Sequence, residues 1–126
     1  MTKLVQLRLS RIHYGGDSIG DDIRIEIECL NQFLGINKKI RNGAEVTLNA
    51  EIGQFTIEQA SLQLPLMIRV IERDLIFNDV GSKQVKIKVD LHDIFPQTSA
   101  YAVSVKELRG LSPGQATGIF TLTIEA

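Results

Sequence analysis

Between Asp22 and Cys29 the odd positions are apolar and the even ones charged: Ile23, Ile25, Ile27 and Cys29 against Asp22, Arg24, Glu26 and Glu28. Successive side chains of a strand point to opposite faces, so this parity describes a strand with one face on a core and the other in water. Val85, Ile87, Val89 and Leu91 repeat the pattern around Lys86, Lys88 and Asp90, and Phe120, Leu122 and Ile124 repeat it around Thr121 and Thr123. Val46, Leu48, Ala50 and Ile52 form a fourth set, and Tyr101, Val103 and Val105 a fifth. Leu66 to Ile71 and Leu4 to Ile12 are more continuously apolar and read as strands covered on more than one side.

The breaks carry turn chemistry. Gly15-Gly16-Asp17 follows the first strand, Asn42-Gly43 suits a tight hairpin, Gly81-Ser82 precedes the Val85 strand, and Ser112-Pro113-Gly114 precedes the last. Pro65 marks a bend or an edge. Helical turns fit only Ser104 to Leu108 and His92 to Phe95. About eight strands at these spacings predict an all-β fold, an antiparallel eight-stranded β-sandwich formed by residues 1–126 as one domain.

Composition narrows the function classes. The 126 residues are 44% apolar and 23% charged, ordinary for a folded domain that builds its core without staples. A net charge of −1 does not resemble the basic field of a non-specific nucleic-acid binder, so no nucleic-acid partner is expected. Cys29 is the single cysteine, which excludes an intrachain disulfide and suits a reducing, cytoplasmic setting. The start Met1-Thr2-Lys3-Leu4-Val5-Gln6-Leu7-Arg8 has charges where a signal peptide needs an apolar run, and no run approaches the roughly 18 apolar residues of a membrane span.

No catalytic motif stands out. His13 and His92 fall at opposite strand ends, and Cys29 lies on the inward face of its strand. The nucleophile-elbow, metal-ligand and phosphate-loop spacings are missing. The expectation is a non-catalytic module.

The acids are more informative. Asp17, Asp21 and Asp22 sit in the first connecting loop; Glu72, Asp74 and Asp79 flank a later one, with Glu72 and Asp74 pointing to one side of a strand end. Calcium takes six to eight oxygen ligands, largely carboxylates and carbonyls on loops. Two acidic loops meeting at one end of a sandwich could supply them; solvated turn-forming acids are the plainer reading.

Ile68-Arg69-Val70-Ile71-Glu72-Arg73-Asp74, then Asn78-Asp79-Val80-Gly81, then Val85-Lys86-Ile87-Lys88-Val89-Asp90-Leu91 resembles the C2 domain, the calcium- and phospholipid-binding β-sandwich. Leu7 to Ile12, Asp17 to Ile27 and Gln54-Phe55-Thr56-Ile57 are similar to further segments of that family. The resemblance implies calcium ligands at Asp17, Asp21 or Asp22 in the first loop and at Glu72, Asp74 and Asp79 in the later one. Glu72 departs from the family's Asp, the later loop is short, and Gly20-Asp21-Asp22-Ile23 replaces the usual Ser-Asp-Pro-Tyr. Many members have lost calcium and act as protein-interaction modules.

Two further features follow. Leu75, Ile76 and Phe77 form an apolar tip between acids, suited to a membrane or a partner, or to plugging the sandwich end. Lys38, Lys39 and Arg41 form a basic patch beside Asn42-Gly43, suited to anionic lipid or to edge-strand protection. Arg69, Lys86 and Lys88 extend that patch if the sheets put them on one face. The expected function is protein–protein assembly or scaffolding through a protein partner. Calcium-dependent or phosphoinositide-dependent binding to anionic membrane lipid is the alternative. An exposed edge strand could also pair two copies into a homo-oligomer.

Overall fold

In the computed structural model, which describes residues 2–74, 78–107 and 116–126, eight strands form two four-stranded antiparallel sheets. The strands are β1 (Lys3–Gly16), β2 (Asp22–Cys29), β3 (Gln32–Lys39), β4 (Glu45–Ile57), β5 (Ser61–Glu72), β6 (Asp79–Asp90), β7 (Thr98–Lys106) and β8 (Thr117–Glu125). One sheet runs β4-β1-β8-β7 and the other β3-β2-β5-β6; we call them the first and second sheets. The eight-stranded sandwich is therefore as the alternation predicts.

Register follows from burial. Ile23, Ile25, Ile27 and Cys29 are each no more than 1% exposed. Sliding β2 by one residue would put all four in water, at about 2 kcal/mol for each isoleucine, a loss comparable to the whole stability of a small domain. Facing them across the sandwich are Leu7, Leu9, Ile12, Tyr14, Phe120 and Leu122, all fully buried.

Two bulges explain the blurred parity of the longest strands. In β1 the inward residues are Val5, Leu7 and Leu9, then Ile12 and Tyr14, so the phase changes at Ser10. The pairings to β4 and β8 both shift between Leu9 and Arg11, and the Ser10 hydroxyl donates to the Thr123 carbonyl at 3.2 Å. In β4 the phase changes at Ile52, where Leu7 pairs with Gly53 and Arg8 with Glu51. A bulge moves one residue out of the ladder and turns the strand's remaining side chains over.

Several sequence expectations are corrected. Asn42-Gly43 forms no hairpin: it carries the chain from β3 in the second sheet to β4 in the first. The hairpin there is β2–β3, turning through Leu30-Asn31, with Cys29 opposite Gln32 and Leu30 at φ 54°. Gly81-Ser82 lies inside β6, where Gly81 is opposite Val70. It is glycine because a Cβ there would overlap the Ser104 carbonyl of β7, so the two sheets close against each other at this seam. Leu66 to Ile71 alternates, with Leu66, Ile68 and Val70 inward and Met67, Arg69 and Ile71 on the half-exposed outer face. Ser104 to Lys106 is strand, and a turn at Leu91-His92 replaces a helical one. Pro65 does sit at an edge: β2 pairs with β5 only as far as Leu66. The expected turn at Ser112-Pro113-Gly114 lies outside the described residues.

Candidate functional site

The β5–β6 hairpin brings Glu72 and Asp79 opposite each other at one end of the second sheet. Both are buried, at 6% and 3% exposure, although acids almost never are unless paired. They share a side-chain hydrogen bond, and the Glu72 carboxyl packs on Gly20 of the β1–β2 loop, where any side chain would collide with it. Burial first, then the bond and charge of Asp79, then the charges of Asp74 and Glu107, push the Glu72 carboxyl up to about 7. Two carboxyls in contact cannot both ionise cheaply, so Glu72 keeps its proton until the pH approaches neutrality.

The first-loop acids are drawn elsewhere. Asp22 is bound to Arg73, Oδ1 to Nη2 at 2.8 Å, and its carbonyl accepts the Arg73 N–H. Asp17 fastens the start of β8: its carboxylate accepts the Thr117 N–H at 2.9 Å while its own N–H donates to the Thr117 carbonyl. The Asp21 carbonyl accepts the Ile40 N–H, and its side chain shares an open pocket with Arg41. Asp74 donates its N–H to the Asn78 side chain at 3.2 Å. The fold thus joins Glu72 to Asp79 and leaves Asp17 and Asp22 on separate partners. Among the described residues no group of three or more His, Cys, Asp or Glu is placed to hold a metal ion. Leu75, Ile76 and Phe77, the apolar tip, lie outside the described residues.

Tyr14 holds the first loop in shape. Fully buried, it accepts the Ile19 N–H at 2.7 Å and donates to the Gly20 carbonyl at 2.8 Å, with its ring against Phe120.

The basic residues are divided by the topology. Lys38 and Lys39 end β3, and Arg41 lies in the crossover to β4 rather than on a hairpin. Lys39 stands opposite Asp22 and Arg41 beside Asp21, so acids lie next to these cations. Arg69 sits on Glu26 at 3.8 Å, while Lys86 and Lys88 are on β6, two strands away from β2 and three from β3.

A surface that the sequence pattern does not mark lies at the other end of the second sheet. Its outer face is largely charge-paired: Arg24 holds Glu26 at 2.9 Å across the centre. At the β2–β3 hairpin the character changes. Leu30 and Phe33 are 57% and 55% exposed, and Leu30 borders an open groove of about 590 Å³ with Pro65 and Met67 in its wall and Glu28 and Lys86 on its rim. Leu30 is also the only described non-glycine residue at positive φ, a conformation that costs a branched, bulky residue about 1–2 kcal/mol. Apolar residues of the β2–β3 turn, of β3 and of β5 produce this surface, and none belongs to a linear motif.

The outer face of the first sheet differs. Arg8–Glu125 and Arg11–Glu45 pair at 3.2 Å, and Glu51 accepts from Gln6 and Gln54, which hold its carboxyl below the usual range. Cys29 is buried, and burial pushes its thiol up to about 11, which keeps it protonated and unreactive at neutral pH.

The architecture is the one that the C2 resemblance implies, and it is shared by other sandwich families. No family model and no curated protein matches this chain in sequence. No helix among the described residues is long and apolar enough to cross a membrane.

Proposed function

We propose that this domain is a non-catalytic interaction module used in protein–protein assembly, and that its working surface is the apolar corner at the β2–β3 hairpin. The observation that supports this reading is Leu30, held in a left-handed conformation with most of its side chain in water beside an open apolar groove. In the isolated domain that arrangement costs conformational energy and buries little. A partner covering Leu30, Phe33 and Met67 would bury the exposed part of three large side chains, a share of the about 1.5–3 kcal/mol that complete burial of each contributes. A few well-packed anchors, ringed by near-neutral contacts that exclude water, carry most of the energy of an interface.

The test is crosslinking and size-exclusion in native extract with the wild-type domain and with Leu30→Ser and Phe33→Ser. A retained complex that both substitutions abolish supports the reading. A strictly monomeric domain, or a complex indifferent to both substitutions, counts against it.

The alternative, a calcium-dependent or phosphoinositide-dependent membrane module, draws on the proximity of Glu72, Asp79 and Asp74. Calorimetric titration with calcium followed by sedimentation with anionic liposomes separates the two. Heat and lipid binding at millimolar calcium favour the membrane module; neither signal favours the protein partner.

A further inference from the structure

Glu28 and Lys86 stand on opposite flanks of the groove at the β2–β3 corner. Strand pairing fixes their relation. Glu28 is opposite Met67 and Met67 opposite Gln84; Lys86 lies two residues on from Gln84, opposite Pro65. Lys86 is therefore two strands across from Glu28 and one outward-facing place further along, about 10 Å in one direction and about 7 Å in the other. The midpoint between them falls on β5, between Met67 and Pro65.

Both side chains are exposed, and neither makes an ion pair within 4.0 Å among the described residues. Their cross-strand neighbours offer no opposite charge: Glu28 lies between Phe33 and Met67, and Lys86 faces Pro65. Elsewhere on this face charges are matched within the chain, with Arg24 and Arg69 on Glu26, Arg73 on Asp22, and Lys88 3.9 Å from Asp90. The corner is thus an apolar strip with an unmatched acid on one flank and an unmatched base on the other.

Such a surface is complementary to itself. A twofold axis lying in the plane of the face, through the midpoint of Glu28 and Lys86 and at right angles to the line joining them, brings each acid onto the other copy's base. The match occurs twice. Met67 and Pro65, which straddle the axis, meet the same strand of the other copy. A partner presenting a single charge satisfies one flank and is opposed by the other, whereas a second copy satisfies both by symmetry. A contact of this kind uses one patch on both subunits and closes as a dimer.

We infer that the partner at this corner is a second copy of this chain, joined by a twofold contact in which Glu28 of each copy pairs with Lys86 of the other and Leu30 of each lies against β5 of the other. This inference rests on the interaction-module reading and names the partner.

The experiment is sedimentation of the whole purified domain over a concentration series. The wild type is expected to dimerise reversibly. Glu28→Lys sets lysine against lysine at both contacts, and Lys86→Glu sets acid against acid. Each alone is expected to weaken the dimer at least about tenfold. An equimolar mixture of the two variants restores both pairs in a mixed dimer, and so does the double variant in one chain. Both are expected to associate within about threefold of the wild type. Recovery in the mixture also shows that each variant is folded. Leu30→Ser is expected to weaken the dimer at least about tenfold.

A wild type that stays monomeric up to about 1 mM overturns the inference. So does a dimer indifferent to the single charge changes, which would use another surface such as a strand edge, and so does a mixture that fails to associate. If the purified domain is monomeric while Leu30→Ser still abolishes the complex from extract, only the second-copy inference falls. If both fail, the interaction reading falls with it.

Discussion

The side chain of Gln32 pairs with the backbone of Gln54 as a neighbouring strand would: its amide nitrogen donates to the Gln54 carbonyl at 2.8 Å, and its oxygen accepts the Gln54 N–H at 2.9 Å. Gln32 opens β3, at the edge of the second sheet, and Gln54 lies in β4, at the edge of the first. On the opposite seam Lys83 of β6 donates to the Ala102 carbonyl of β7 at 3.1 Å. Each seam is thus spanned by one side chain bonded to the main chain of a first-sheet edge. Gln32→Ala removes two hydrogen bonds at a partly exposed site, and the expected loss is about 1–2 kcal/mol. Urea unfolding measures it; a change below a few tenths of a kcal/mol would show that water replaces the clamp.

Gly81 is the sharper test of how the sheets meet. A Cβ at this position would overlap the Ser104 carbonyl and lie 2.8 Å from Val105 Cγ2. Backbone cannot rotate away as a side chain can, so Gly81→Ala is expected to cost about 3 kcal/mol. Gly43, with nothing within 4 Å of its would-be Cβ, is the control for crowding, since its φ of 88° leaves only conformational strain. A Gly81→Ala loss no larger than that of Gly43→Ala would refute the close seam.

Removing the Tyr14 hydroxyl separates ring packing from loop tethering. Tyr14→Phe keeps the contact with Phe120, whose ring centroid is 4.3 Å away, but leaves the buried Ile19 N–H without its acceptor. The expected loss is about 2 kcal/mol. Faster hydrogen exchange confined to 17–21 accompanies it if the hydroxyl organises the loop, and uniform faster exchange argues against that role.

Stability should fall as pH rises towards neutrality. A carboxyl whose folded value stands above its unfolded one stabilises the fold while protonated. For Glu72 that contribution is full below about pH 4.5 and is lost as pH rises through about 7. Glu72→Gln mimics the protonated form permanently. It is expected to match the wild type near pH 5 and to exceed it by about 2 kcal/mol at pH 8. Parallel wild-type and variant curves from pH 5 to 8 would remove Glu72 as the titrating group.

Much of the fold is legible in the sequence because parity survives wherever a strand has one wet face. β2 shows it without interruption, and β8 shows it from Phe120 onwards. β3 escapes because Phe33 is apolar on the outer face and Gly35 interrupts the run, so nothing alternates cleanly. The Asn42-Gly43 dipeptide has hairpin chemistry, but whether a turn joins neighbours or crosses between sheets depends on the pairing of distant strands. Leu30-Asn31 carries half a turn signal: Asn31 suits a turn, but the positive φ falls on Leu30, and leucine is among the least suited residues for it. Asp17 and Asp21 lie in the first connecting loop, but Asp22, expected there too, opens β2, and its partner is Arg73, 51 residues further on, which no local rule selects. The groove is invisible for the same reason: Leu30, Pro65 and Met67 are ordinary residues until register sets them side by side.

The bulge at Ser10 makes β1 a strand of two halves in opposite phase, held so by neighbours on both sides. Ser10 is the residue of β1 whose removal would leave that phase intact: Leu9 and Arg11 already stand opposite the consecutive Ile124 and Thr123, and without Ser10 the inward set Val5, Leu7, Leu9, Ile12 and Tyr14 would read as a single unbroken alternation. Loss of Arg8, two places earlier, would instead act as a frameshift in three dimensions, turning Val5 and Leu7 to the solvent while Leu9 stays in the core.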